Sequence, residues 1–149
     1  MKTAICYYSR HHGNTLKVLE AIAQGQDVDL IDVTTRAAVR LEEYGAVGFA
    51  SGIYFGKFQE AVINFAGQYL PQGKDVFLVY TCGSMRKGYT QAIAEAVQAK
   101  NARILGEFGC RGYDTFGPFK LVGGIAKGRP SQEDLENARK FYASIIAGK

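Results

Sequence analysis

"YYSRHHGNTL", residues 7–16, is where an apolar segment hands over to a helical one, and its reading decides the fold. Upstream, "KTAICYYS" (Lys2 to Ser9) is almost continuously apolar rather than alternating, the pattern of a strand covered on both faces. Downstream, Leu16, Leu19, Ile22 and Ala23 recur at helical spacing until Gly25 ends the stripe. Between them stand Ser9, Arg10, His11, His12, Gly13, Asn14 and Thr15. A helix N-terminus offers N–H groups and partial positive charge, both suited to a phosphate. Gly13 lets the backbone approach such a group closely, Ser9 and Thr15 can donate hydroxyl hydrogens, and Arg10, His11 and His12 add donors or charge. The same residues also suit a plain turn capped by Ser9 or Asn14, with the histidines at the surface. A single glycine excludes GxGxxG, and GxxxxGK[ST] is absent, so neither a dinucleotide fingerprint nor a triphosphatase loop is present. Adjacent histidines diverge and make a poor metal pair.

The rest of the chain repeats the alternation. "VDLIDV" (Val28 to Val33), "AVGFAS" (Ala46 to Ser51) and "DVFLVYTC" (Asp75 to Cys82) read as strands. "ARILGEFGC" (Ala102 to Cys110) reads as a fifth strand that its glycines weaken. Ala61, Val62, Phe65 and Ala66 mark a helix that ends before Pro71, and Thr90 to Lys100 is an alanine-rich helix. Ser131 with Asp134 three residues on opens a last helix carrying Leu135, Ala138, Tyr142 and Ile145. Strands alternating with helices predict a parallel sheet with helices on both faces. The stretch from Gly112 to Pro130 is long for a connection inside one domain and reads as a packed structural loop or a functional one.

Length and composition bound the class. The 149 residues, 47% hydrophobic and 21% charged, fit one globular domain over 1–149. No apolar run approaches the roughly 20 residues of a membrane span, which predicts no membrane insertion. The chain opens on a strand rather than a leader, which predicts a cytoplasmic protein. Cys6, Cys82 and Cys110 are odd in number and far apart, without zinc or disulfide spacing, so no metal is expected. The net charge of +4 comes from scattered residues rather than a basic run, which argues against nucleic acid.

Two further strand ends carry the chemistry. The third strand runs into "SGIYFGKF" (Ser51 to Phe58) and the fourth into "TCGSMRKGY" (Thr81 to Tyr89). In an open α/β sheet these loops share an edge with the phosphate loop. Each brings glycines, small residues and an aromatic, the walls a flat heteroaromatic ring needs.

"YYSRHHGNT", "ASGIYFGKF" and "VYTCGSM", in this order and at these intervals, resemble a short-chain flavodoxin or flavodoxin-like FMN protein over the whole chain. The first loop matches the family's phosphate loop as S-x-x-x-G-N-T. The resemblance implies a flavodoxin-like doubly wound five-stranded parallel sheet of order 2-1-3-4-5, an order taken from the family rather than from periodicity. It implies FMN as cofactor, with Ser9, His11, His12, Gly13, Asn14 and Thr15 at the ribityl phosphate and Arg10 beside them. Ser51, Gly52, Ile53, Tyr54, Phe55 and Gly56 then form the first ring loop, with Tyr54 or Phe55 against the isoalloxazine. Thr81, Cys82, Gly83 and Ser84 form the second, and Tyr89 reaches the other ring face.

The implied function is electron transfer through a non-covalent flavin, with no catalytic side chain. The alternative is an FMN-dependent NAD(P)H:quinone or protoporphyrinogen-type oxidoreductase, and a non-flavin binding module stands last. No nucleotide site for NAD(P)H is evident, which favours the carrier. Family carriers are typically acidic, whereas this chain is basic, so the expected redox partner protein carries an acidic docking surface.

Overall fold

The computed structural model describes residues 2–10, 13–35, 39–113 and 124–148. In chain order the elements are β1 (Thr3–Tyr8), α1 (Asn14–Ala23), β2 (Val28–Asp32), a 3-10 turn (Leu41–Glu43), β3 (Ala46–Tyr54) and β4 (Lys57–Phe58). They continue with α2 (Glu60–Tyr69), β5 (Asp75–Cys82), α3 (Gln91–Gln98), β6 (Arg103–Arg111) and α4 (Gln132–Ala147). Five parallel strands lie in the order β2-β1-β3-β5-β6, the order expected for strands two, one, three, four and five.

Each central strand sends alternate side chains to opposite layers. Ala4, Cys6, Val47, Phe49, Val76 and Leu78 pack with Val62 and Phe65 of α2 and with Ile93 and Val97 of α3. Ile5, Ala46, Ala50, Phe77 and Val79 pack with Val18, Leu19 and Ile22 of α1 and with Ala138, Tyr142 and Ile145 of α4. Covering both faces is why these strands read as continuous apolar runs rather than alternating ones. β2, at one end of the sheet, is only half buried along its length.

Glycine–aromatic pairing explains the fifth strand. Gly109 stands opposite Tyr80 in the β5–β6 register, and a Cβ there would lie 2.2 Å from the tyrosine ring. Gly48 does the same for Phe77 across β3 and β5, at 2.6 Å. The glycines that weaken the strand pattern are thus the seats of neighbouring rings.

The end of the third strand differs from the sequence reading. β3 does not stop at Ser51 but continues to Tyr54 and turns back through β4, pairing Tyr54 with Lys57 and Ile53 with Phe58. The two turn residues, Phe55 (φ 52°) and Gly56 (φ 81°), both have positive φ, as in a type I′ hairpin. Glycine accepts that conformation readily; phenylalanine does so at a cost of about 1–2 kcal/mol. The cue missed was turn chemistry, because glycine follows an aromatic here rather than asparagine or aspartate.

The last helix starts as its sequence predicts. Asp134 N–H donates to Ser131 Oγ (3.2 Å), and Ser131 N–H donates to the Asp134 carboxylate (2.7 Å). Arg129 adds a two-pronged contact through Nε (2.5 Å) and Nη2 (2.7 Å). The Arg129 hydrogen bonds, opposed by burial and helped by those from Ser131, hold the Asp134 carboxyl below its ordinary range.

Two glycine substitutions are expected to act with opposite signs. Gly109→Ala overpacks the Tyr80 contact and costs about 1–3 kcal/mol in chemical denaturation. Gly67→Ala, on the exposed face of α2 with nothing within 4 Å of its Cβ, gains about 0.5–1 kcal/mol. The lowered Asp134 pKa gives stability that is complete above the unfolded value of about 3.9 and is lost as pH falls through the folded one. Asp134→Asn therefore costs about 0.5–2 kcal/mol at neutral pH, and its denaturation curve converges on the wild type's once pH falls below the lowered folded pKa of Asp134.

Candidate functional site

β1, β3 and β5 are neighbours in the sheet and run in one direction, so the chain leaves all three at the same edge. A cleft opens there. Arg10, Asn14 and Thr15 from the first loop, Gly52, Ile53 and Tyr54 from the end of β3, and Thr81, Cys82 and Gly83 from the end of β5 line it. Gly112 and Tyr113, beyond β6, complete the wall.

Polar contacts tie these segments to one another. The buried hydroxyls of Thr15 and Thr81 are 2.8 Å apart. One proton lies between them, which leaves the other to donate elsewhere. Asn14 Nδ2 donates to the Tyr113 carbonyl (2.7 Å), and Gly112 lies so close that a Cβ would come 2.6 Å from Asn14 Cγ. Asn14 Oδ1 is buried and accepts no hydrogen bond among the described residues. Arg111 Nε donates to the Gly83 carbonyl (3.1 Å), joining the β5 loop to β6.

The start of α1 is open to an anion. Gly13, at φ 65°, occupies the cap position expected of Ser9 or Asn14 and has no side chain of its own to cap the helix. Ser9 Oγ instead accepts the Leu16 N–H (3.1 Å). Arg10 folds over the Tyr8 ring, 5.0 Å from its centroid, and donates to the Ser9 carbonyl (2.8 Å) and to Thr34 Oγ1 (3.1 Å). Its guanidinium also lies 3.5 Å from Asp32. Burial raises the Asp32 pKa, but hydrogen bonds from Thr34 and the charge of Arg10 outweigh it and leave the carboxyl lowered. His11 and His12 lie outside the described residues.

Several expected ring contacts have other partners. Ser51 is fully buried; its hydroxyl accepts the Gln59 N–H (3.0 Å) and donates to the Gly52 carbonyl, securing the base of the hairpin. Tyr54 meets Tyr8 edge-on at 5.9 Å on the cleft wall, whereas Phe55 is exposed at the hairpin tip. Tyr89 packs edge-on against Tyr80 (5.8 Å), and its hydroxyl donates to the Ser84 carbonyl (2.7 Å), so it braces the loop rather than lining the cleft. Cys82 Sγ lies 3.3 Å from Met85 Sδ and 3.7 Å from the Cys110 carbonyl. Burial, with smaller contributions from Asp134 and Cys82, pushes the Cys110 thiol up to about 12.

Sequence reading left the stretch that opens with Gly112 and Tyr113 between a packed structural loop and a functional one, and the structure puts both residues on the cleft wall. Among the described residues, no group of three or more His, Cys, Asp or Glu could hold a metal ion, and no helix is long and apolar enough to cross a membrane.

A family model described as a flavodoxin domain matches residues 4–87. An uncharacterized protein of Methanocaldococcus jannaschii is 35% identical over 148 residues, covering 98% of this chain and 99% of the relative. A flavodoxin from the domain Archaea has a similar structure, with a TM-score of 0.71 at 21% identity over 99% of this chain and 98% of the other. So does a Fusobacterium nucleatum flavodoxin bound to flavin mononucleotide, with a TM-score of 0.69 at 14% identity over 99% of each chain.

The Thr15–Thr81 contact yields a double-mutant test of how the cleft floor is held. Thr15→Val strands the buried Thr81 hydroxyl and costs about 1–3 kcal/mol in chemical denaturation. Adding Thr81→Val removes the stranded group, so the second step costs much less than the first.

Proposed function

This chain belongs to the flavodoxin domain family, and from that premise and the geometry of the cleft we propose that it binds FMN non-covalently and carries electrons through it. The observation that supports this most is the meeting of the α1 N-terminus with the β3 and β5 ends around one cleft. The residues fit the cofactor chemically. Gly13 at the cap position of α1 has no side chain and keeps the approach clear, and the Thr15–Thr81 pair has a hydroxyl proton to spare. Asn14 Oδ1 is a buried acceptor suited to a ligand hydroxyl.

When bound, FMN supplies the redox chemistry, and the protein supplies position and electrostatics. Ser9, Thr15 and the N–H groups of Asn14 and Thr15 at the start of α1 would hold the phosphate, with Arg10, paired with Asp32, beside the loop. Gly52, Ile53 and Tyr54 would border the ring from the end of β3, and Thr81, Cys82 and Gly83 would border it from the end of β5. The ties among Asn14, Tyr113, Arg111 and Gly83 keep these walls in place before the ligand arrives, which lowers the ordering cost of binding.

A titration followed by visible absorbance and fluorescence tests the cofactor. The purified chain is expected to bind FMN well above riboflavin. Ser9→Ala is expected to weaken FMN by roughly tenfold to a hundredfold, the value of a hydrogen bond to a charged group, while riboflavin affinity changes little. Equal losses for both flavins remove the phosphate assignment. Turnover of NAD(P)H with quinones by the FMN-loaded chain would replace the carrier reading with the oxidoreductase one.

A further inference from the structure

The backbone at Gly112 does not require a glycine, because its φ is not positive. A Cβ there would nevertheless lie 2.6 Å from both Cγ and Nδ2 of Asn14 and 2.8 Å from Asn14 Cβ. The missing side chain is the space in which the Asn14 carboxamide sits. The next residue fixes how that carboxamide is turned. Asn14 Nδ2 donates to the Tyr113 carbonyl (2.7 Å). A carbonyl can only accept, so the NH2 group faces it and Oδ1 faces away. This socket is itself held from two sides. Gly112 N–H donates to the Cys82 carbonyl (2.8 Å), just past the last β5–β6 pair, and Tyr113 N–H donates to the Arg129 carbonyl (2.9 Å). Asp134, at the start of α4, grips the Arg129 guanidinium in turn. Asn14 lines the cleft and is only 9% exposed, and its Oδ1 accepts no hydrogen bond among the described residues.

Resting on the reading of the cleft as a flavin site, we propose that Gly112 and Tyr113 are positioning residues that set the Asn14 carboxamide to accept a hydroxyl of the flavin side chain. Through Asn14 they make the cleft select a hydroxylated side chain over the bare ring. Gly112 supplies the space, the Tyr113 carbonyl supplies the orientation, and the Arg129 carbonyl keeps the Tyr113 peptide in place. A buried acceptor without a donor is destabilising, so a ligand that brings a donor relieves that cost and a ligand without one does not. An amide already fixed by its socket also loses little rotamer freedom when the ligand arrives.

Riboflavin and lumiflavin share one ring system, but lumiflavin has a methyl group in place of the hydroxylated chain, so their affinities separate the two contributions. Fluorescence titration of the wild type is expected to favour riboflavin. Gly112→Ala displaces the carboxamide and is expected to weaken riboflavin about threefold to tenfold, the value of one neutral hydrogen bond, while lumiflavin stays within about twofold. In an Asn14→Ala chain the added methyl has room, so Gly112→Ala is expected to change neither affinity there. The isotope-labelled wild type gives a readout that holds even if Gly112→Ala does not fold. Its Asn14 side-chain amide is expected to exchange slowly with solvent and to shift more with riboflavin than with lumiflavin. Equal losses for both flavins, the same Gly112→Ala effect in both backgrounds, or a freely exchanging Asn14 amide overturns the proposal. A wild type that binds riboflavin and lumiflavin equally keeps the cofactor and overturns this proposal alone. A chain that binds neither of them, nor FMN, overturns both.

Discussion

The central strands β1, β3 and β5 are covered by helices on both faces and by strands on both sides, so their backbones reach solvent only at their ends. Because they are parallel, all three open into loops at one edge, and that edge collects polar groups the interior cannot hold. The cleft is a consequence of this constraint. A helix N-terminus capped by a glycine, a hairpin and a glycine-bearing loop meet there because the sheet gives each of them one exit.

Close packing at the sheet level has its own rule here. Large rings on β5 lie over glycines of adjacent strands: Phe77 over Gly48 on β3 and Tyr80 over Gly109 on β6. Each pairing lets a bulky side chain lie flat along the sheet while helices still approach closely, at a density that tolerates little added volume. Tyr80 in turn meets Phe58 and Tyr89 edge-on, so the hairpin and the β5 loop are both braced by the same ring. The tips of those segments are thereby held by the core while their outermost residues, Phe55 and Met85, stay exposed.

The cleft walls are joined by a small set of polar contacts between segments distant in sequence. Thr15 reaches Thr81, Asn14 reaches Tyr113, and Arg111 reaches Gly83. In a partly buried setting such bonds are costly to break, because a lost partner leaves an unsatisfied group behind. They make the cleft a preformed feature of the fold, with Asn14 Oδ1 left as a buried acceptor.

The sequence by itself determined the class and the order of elements, because covered strands must be continuously apolar and helices must repeat their apolar residues near every 3.6 positions. It also determined the start of α4, since Ser131 and Asp134 act over three residues, and the three loops that border the cleft, since strand ends dictate where loops emerge. Only the tertiary structure decided which loop residues face that cleft. Ser51 turned into the hairpin base, Tyr89 turned onto Tyr80, and Gly112 and Tyr113 joined through their contact with Asn14. Those choices depend on partners 8 to 99 residues away in the chain, and no local pattern encodes a hydrogen bond or a ring contact across that distance.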